Sequence, residues 1–143
     1  MTSISAFLTQ EHRHCDDSYA AAEEMVAAGR WDEAAQSWSI FLNALETHLN
    51  REERFLFPAF EAQTGNTQGP TAMMRMEHEQ IRSLVAEMNE AIVARDADSF
   101  LGFAETLMIL IQQHNMKEEQ MLYPMSDQVL GDPDALVRQM QEG

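Results

Sequence analysis

Several things are scarce in this chain. One cysteine in 143 residues rules out an internal disulfide and fits a reducing, cytoplasmic setting. Basic residues are few, 9 Lys and Arg against 24 Asp and Glu, for a net charge of −15. Such a surface repels phosphates, so neither nucleic acid nor an anionic membrane is an expected partner. No run approaches the roughly 18 apolar residues of a membrane span. The N-terminal dozen residues have neither the basic start nor the apolar stretch of a signal peptide. Six glycines and four prolines leave long stretches unbroken, and nothing alternates with period two, so no sheet is expected.

What is present is helical. The length suits one domain, 1–143, with a core of its own. The 11 methionines are expected mostly as flexible filler between helices. Apolar residues recur three and four apart. A first helix runs from about Ser5 to Ala28, with the stripe Leu8, His12, Cys15, Tyr19, Ala22, Val26 and a stop at Gly29. A second is expected to be capped by Asp32, with Trp38, Phe41, Leu45, His48, Glu52, Phe55 and Ala59 on one face. Pro58 should kink or loosen its last turns. After the loop 64–69, Pro70 opens a third helix striped with Met74, His78, Ile81, Val85, Met88 and Ile92. A fourth, capped by Asp96 or Asp98, carries Phe100, Phe103, Leu107, Leu110, His114, Glu118, Met121 and Met125. Gly131 ends it, and a short helix closes the chain from Asp134 to Gln141. The expected fold is all-α, an up-down-up-down four-helix bundle plus a short C-terminal helix.

The chain also repeats itself. His48–Pro58 reads HLNREERFLFP and His114–Pro124 reads HNMKEEQMLYP, 66 residues apart. The Glu-His pairs Glu11-His12 and Glu77-His78 keep the same offset of 66. The bundle is therefore a duplicated helical hairpin. Each half has about 16 residues from histidine to turn on both legs, roughly 24 Å, which sets its two histidines at one height.

Residues four apart share a helix face. His48 with Glu52, and His114 with Glu118, therefore point into the core alongside His12 and His78. Two buried carboxylates and four imidazoles at one level would cost several kcal/mol each without compensation. A dinuclear metal centre supplies it, with bridging carboxylates and capping imidazoles. That donor set suits iron, with manganese as an alternative; zinc is the poorer fit because no thiolate cluster is present. Glu53 and Glu119 lie about 100° off the stripe and are expected at the surface or supporting the ligands. His14 faces away. Cys15 and Tyr19 share the His12 face, as core packing or as a hydrogen-bonding support for a bound oxygen species. Asp16 and Arg82 each stand four residues past a histidine and border the site.

These motifs resemble the hemerythrin-like, or HHE cation-binding, family. The resemblance runs over about residues 4–128 and rests on Glu11-His12, His48-x-x-x-Glu52-Glu53, Glu77-His78 and His114-x-x-x-Glu118-Glu119. It implies a non-haem di-iron centre, two Fe ions with an oxo or hydroxo bridge, that binds O2, NO or a related oxidant. Arg82 stands where animal hemerythrins have a fifth histidine. The four-histidine, two-glutamate set is more similar to the di-iron domain of bacterial proteins that repair damaged iron centres. Carriage or sensing of a diatomic, reduction of NO or peroxide with a protein electron donor, and iron donation or storage all fit that resemblance.

Overall fold

The computed structural model describes residues 1–143. It contains helices and no strand: α1 (Ile4–Ala27), α2 (Trp31–Arg51), α3 (Phe57–Thr64), α4 (Pro70–Ala94), α5 (Ala97–Lys117), α6 (Tyr123–Val129) and α7 (Pro133–Glu142). α1 packs antiparallel on α2 and α4 on α5, and α1 with α5 and α2 with α4 close the bundle. The expected loop is in place over 65–69, with Thr64 still in α3, as are the Pro70 start and the Asp96 cap, which accepts from the Ser99 N–H. Asp32 is not the cap expected of it. The α2 helix starts two residues earlier, after Arg30, and Asp32 lies in its first turn.

Both hairpin turns reverse through a left-handed residue. In the first this is Gly29, φ 72°; in the second, 66 positions on, it is Arg95, φ 54°. Glycine adopts that conformation freely, whereas arginine does so against its Cβ.

The largest departure from helical regularity is the one Pro58 and Pro124 signal. Between α2 and α3, and between α5 and α6, the chain winds through a π-helical turn, 52–56 and 118–122. Phe57 N–H reaches back five residues to the Glu52 carbonyl, and Tyr123 N–H to that of Glu118. A proline ring lacks an N–H and clashes with the carbonyl four residues back, and the wider turn moves that carbonyl away. It also shifts the buried stripe by one residue. The expected core positions Phe55, Ala59, Met121 and Met125 give way to Leu56, Phe60, Leu122 and Ser126, all 1% exposed or less, while Met121 and Met125 turn outward.

Upstream of those turns Leu8, Tyr19, Phe41, Ile81, Met88 and Leu107 are buried as expected, whereas Phe103 and Leu110 are half-buried and Ala104 takes the core position between them. The apolar core forms two clusters, one around Tyr19, Trp38, Phe41 and Phe100, the other around Leu8, Leu56, Phe60, Leu122 and Tyr123. A polar layer separates them.

Candidate metal centre

That layer holds His12 from α1, His48 from α2, His78 from α4, His114 from α5, and Glu52 and Glu118 from the first positions of the two π turns. All six are 4% exposed or less. Their donor atoms fall into two groups, His12, His48, Glu52, Glu118 and His78, His114, Glu52, Glu118, each with its atoms within 4.8 Å of one another. Both glutamates belong to both groups.

Every imidazole is held from behind by another carboxylate. His12 Nδ1 lies 2.7 Å from Glu119, His48 Nδ1 2.9 Å from Glu11, His78 Nδ1 2.7 Å from Glu53, and His114 Nδ1 2.7 Å from Glu77. A carboxylate there accepts, so each Nδ1 carries a proton and each Nε2 is left facing inward as the atom that can offer a lone pair to a cation. The four supports obey the 66-residue register. Glu11 and Glu77 reach the other histidine of their own half; Glu53 and Glu119 cross to the opposite half. Cations grip three of the four: Arg51 on Glu11, Lys117 on Glu77, and Arg82 on Glu53 at 2.7 Å, with Arg82 itself braced by Glu46 at 2.9 Å. Arg82 corresponds in register to Asp16, so Glu119 receives no such grip.

Glu119 and Arg82 thus stand behind the histidines, as does Glu53. Cys15 is buried beside the layer with its thiol pushed up to about 12, by burial first and by the Glu11 charge next. Tyr19 donates to the Ala104 carbonyl at 3.1 Å, which anchors it to the bundle. A cavity of about 20 Å3 touches Cys15, Tyr19, His12, His48 and His114. That is room for one water-sized molecule. His14 is exposed.

Sequence reasoning missed Tyr123. Its hydroxyl donates to Glu52 Oε2 at 2.6 Å and lies 2.9 Å from Glu118 Oε1 and 3.0 Å from His12 Nε2. The signal was a break in the repeat, since the residue 66 positions earlier is Phe57, which packs on the His78 ring. Glu11 and Glu77 were legible only as repeated letters without a role, and Arg51 and Lys117, which are not the same letter, gave no signal.

Without a cation this layer is electrostatically strained. Burial, then the Glu118 charge, lift the Glu52 carboxyl well above the ordinary carboxylate range. Burial pushes Glu118 the same way, but the hydrogen bond from Glu52 and the His114 charge bring it well below. The pair therefore keeps one proton between two carboxylates. Burial lowers the His114 pKa, yet the Glu118 charge outweighs it and lifts the imidazole to about 9.

A model of the hemerythrin HHE cation-binding domain matches residues 3–126. The chain belongs to that family. No curated protein and no solved structure matches it. The chain's donor set fits the cations for which the hemerythrin HHE domain is described. His48 Nε2, His114 Nε2 and Glu118 Oε2 are buried without any hydrogen-bond partner. The two nitrogens stand 3.5 Å from Glu52 and 3.3 Å from Glu118 without hydrogen-bond geometry. Buried polar atoms are seldom left so, and three at one point mark a place for a cation.

Proposed function

We propose that this chain is a non-haem di-iron protein that binds a small diatomic oxidant, O2 or NO. One observation carries the reading: four Nδ1 atoms are each committed to a carboxylate, so four Nε2 lone pairs converge on Glu52 and Glu118. His12 and His48 would hold one metal, His78 and His114 the other, with both glutamates shared. Nitrogen and oxygen donors without thiolate favour iron over zinc. Two irons there would supply open coordination positions and one-electron redox chemistry.

The chain's own residues do the rest. Glu11, Glu53, Glu77 and Glu119 fix the ring orientations and the tautomers. The two apolar clusters keep bulk water from the layer. The cavity beside Cys15 and His48 admits one small molecule. Tyr123 places a proton donor at the Glu52–Glu118 edge, with its own pKa pushed well up by burial and then by both carboxylates.

The reading is tested by anaerobic loading with Fe(II), metal analysis, then optical spectra on adding O2 and, separately, NO. Two irons per chain and a new charge-transfer band with either gas support it. One metal or fewer at saturation, with an intact fold, overturns it. Turnover of NO or peroxide with an electron donor would place the same centre in an enzyme; iron lost readily to a chelator would make the chain an iron donor, akin to the repair proteins it resembles.

A further inference from the structure

The register that pairs the two halves extends to the surface, and in one place only one half is covered. In the first half the outer face formed by α1, the end of α2, the first π turn and α3 carries Phe7, Arg51, Phe55 and Ala59. The helix α7 lies on that face, against α1 and the π turn. Its Leu136, Val137 and Met140 join the apolar cluster on which Phe7, Phe55 and Ala59 pack. Arg51 Nε donates to the Met140 carbonyl at 3.0 Å, near the C-terminal end of α7. That is where a cation belongs on a helix.

Sixty-six positions on stand Met73, Lys117, Met121 and Met125. No helix of this chain covers them. They line an open groove of about 530 Å3 floored by Met74 and Leu122. Met73, Met121 and Met125 are 46, 55 and 38% exposed, in a chain whose surface is otherwise strongly acidic. Lys117 repeats the part of Arg51. It holds Glu77 as Arg51 holds Glu11, but its side chain is 41% exposed where that of Arg51 is 23%. An ammonium has three hydrogens, and the ion pair with Glu77 uses one.

We propose that this groove seats an amphipathic helix of a partner protein, built like α7. Its apolar side chains would follow the spacing of Leu136, Val137 and Met140, and its C-terminal carbonyls would meet Lys117. The occupied counterpart is the template, and the two ammonium hydrogens of Lys117 that Glu77 leaves unused supply the complementary charge. Methionine side chains are the flexible lining that accepts helices of varied sequence. A second copy is a poor occupant, because the one helix of this pattern in the chain is already seated, with Val137 and Met140 1% exposed or less. The position has a reach beyond docking. Lys117 grips Glu77, which holds His114, so an occupant on Lys117 would sit two side chains from the buried layer.

The probe is a synthetic peptide of residues 130–143, added to the full chain labelled with 13C-methyl methionine. The expected result is saturable shifts at the Met73, Met121 and Met125 methyls and none at Met76, exposed outside the groove. Binding should weaken roughly tenfold or more in Met121→Glu, as for a central interface contact. A peptide carrying Leu136→Asp and Met140→Asp should not bind. Three results overturn the proposal. One is no groove shift at about 1 mM peptide, a weak limit for recognition. Another is binding that leaves these methyls unmoved, which would mean α7 had been displaced from its own seat. The third is concentration-dependent shifts without peptide, which would give the groove to a second copy. None of these depends on the metal loading the centre, so failure here is separable from failure of the di-iron reading.

Discussion

Tyr123 donates to Glu52 across the pseudo-symmetric centre, and nothing returns the bond, because Phe57 holds the matching place in the other half. The hydroxyl therefore offsets part of the carboxylate burial on one side only. Tyr123→Phe should destabilise the metal-free protein by about 1–3 kcal/mol, the cost of leaving a buried polar partner unsatisfied. With metal bound, the carboxylates have another partner and the loss should be smaller. Chemical denaturation of both forms measures the difference; equal losses would mean the hydroxyl is not coupled to the carboxylates.

His48→Ala and His114→Ala each remove one inward Nε2, and each should reduce metal content to one ion or less per chain. His14→Ala, at an exposed position, should leave it unchanged. Metal analysis after identical loading decides this, and equal content in all three variants would sink the ligand assignment.

Arg82→Gln loosens Glu53 behind His78, and loss of such a support typically weakens metal binding 10–100-fold. Asp16→Asn, at the matching position in the other half, breaks no ion pair and should change affinity far less. Competition against a chelator, with both variants in parallel, checks the asymmetry.

The metal-free protein should lose stability between about pH 6.5 and 9. The His12 and His114 pKa values are raised, by the Glu118 carboxylate against the effect of burial, that of His114 to about 9. A raised imidazole contributes stability that is complete below its unfolded value, near 6.5, and lost as pH climbs through the folded value. Glu52, also raised, adds a loss in the same direction from lower pH upward. Glu11, Glu53 and Glu77 are lowered, and their contribution is already complete in this window. The loaded protein should be nearly flat there, since no Nε2 is left to take a proton. Thermal melts at pH 6.5 and 9, with and without metal, give the comparison.

Arg95→Gly should raise stability by a few tenths to about 1 kcal/mol. It relieves a left-handed arginine worth about 1–2 kcal/mol of strain against the entropy glycine adds to the unfolded chain, about 0.5–1 kcal/mol. The Arg95–Asp32 pair it removes is highly exposed and contributes little. A lower melting temperature would show that the turn needs the arginine.

Most of this architecture was legible because duplication writes each signal twice. The stripes through His12, His48, His78 and His114 are periodic, and period survives in sequence. What escaped were departures from period. A π turn has no letter of its own; Pro58 and Pro124 announce a disturbance but not a one-residue advance, so Phe55 and Ala59 end half-buried under α7 and Met121 and Met125 face outward, where an unbroken helix would point all four inward. Tyr123 lies just beyond the same turn and gave no sign of its inward place for the same reason. The supports Glu11 and Glu77 stand next to histidines in sequence, where helical geometry points neighbours apart. They reach a different histidine on the facing helix, and only a folded bundle shows which.

The crossing of Glu53 and Glu119 between halves means that neither hairpin owns a complete site. Residues 1–64 hold His12 and His48 but not the carboxylate behind His12, and residues 70–129 lack the one behind His78. Opening the seam between the hairpins would unfasten a histidine on each side at once. Metal occupancy would then work as a strain gauge for the whole molecule, reading how well two half-proteins, joined by one short loop, stay clasped.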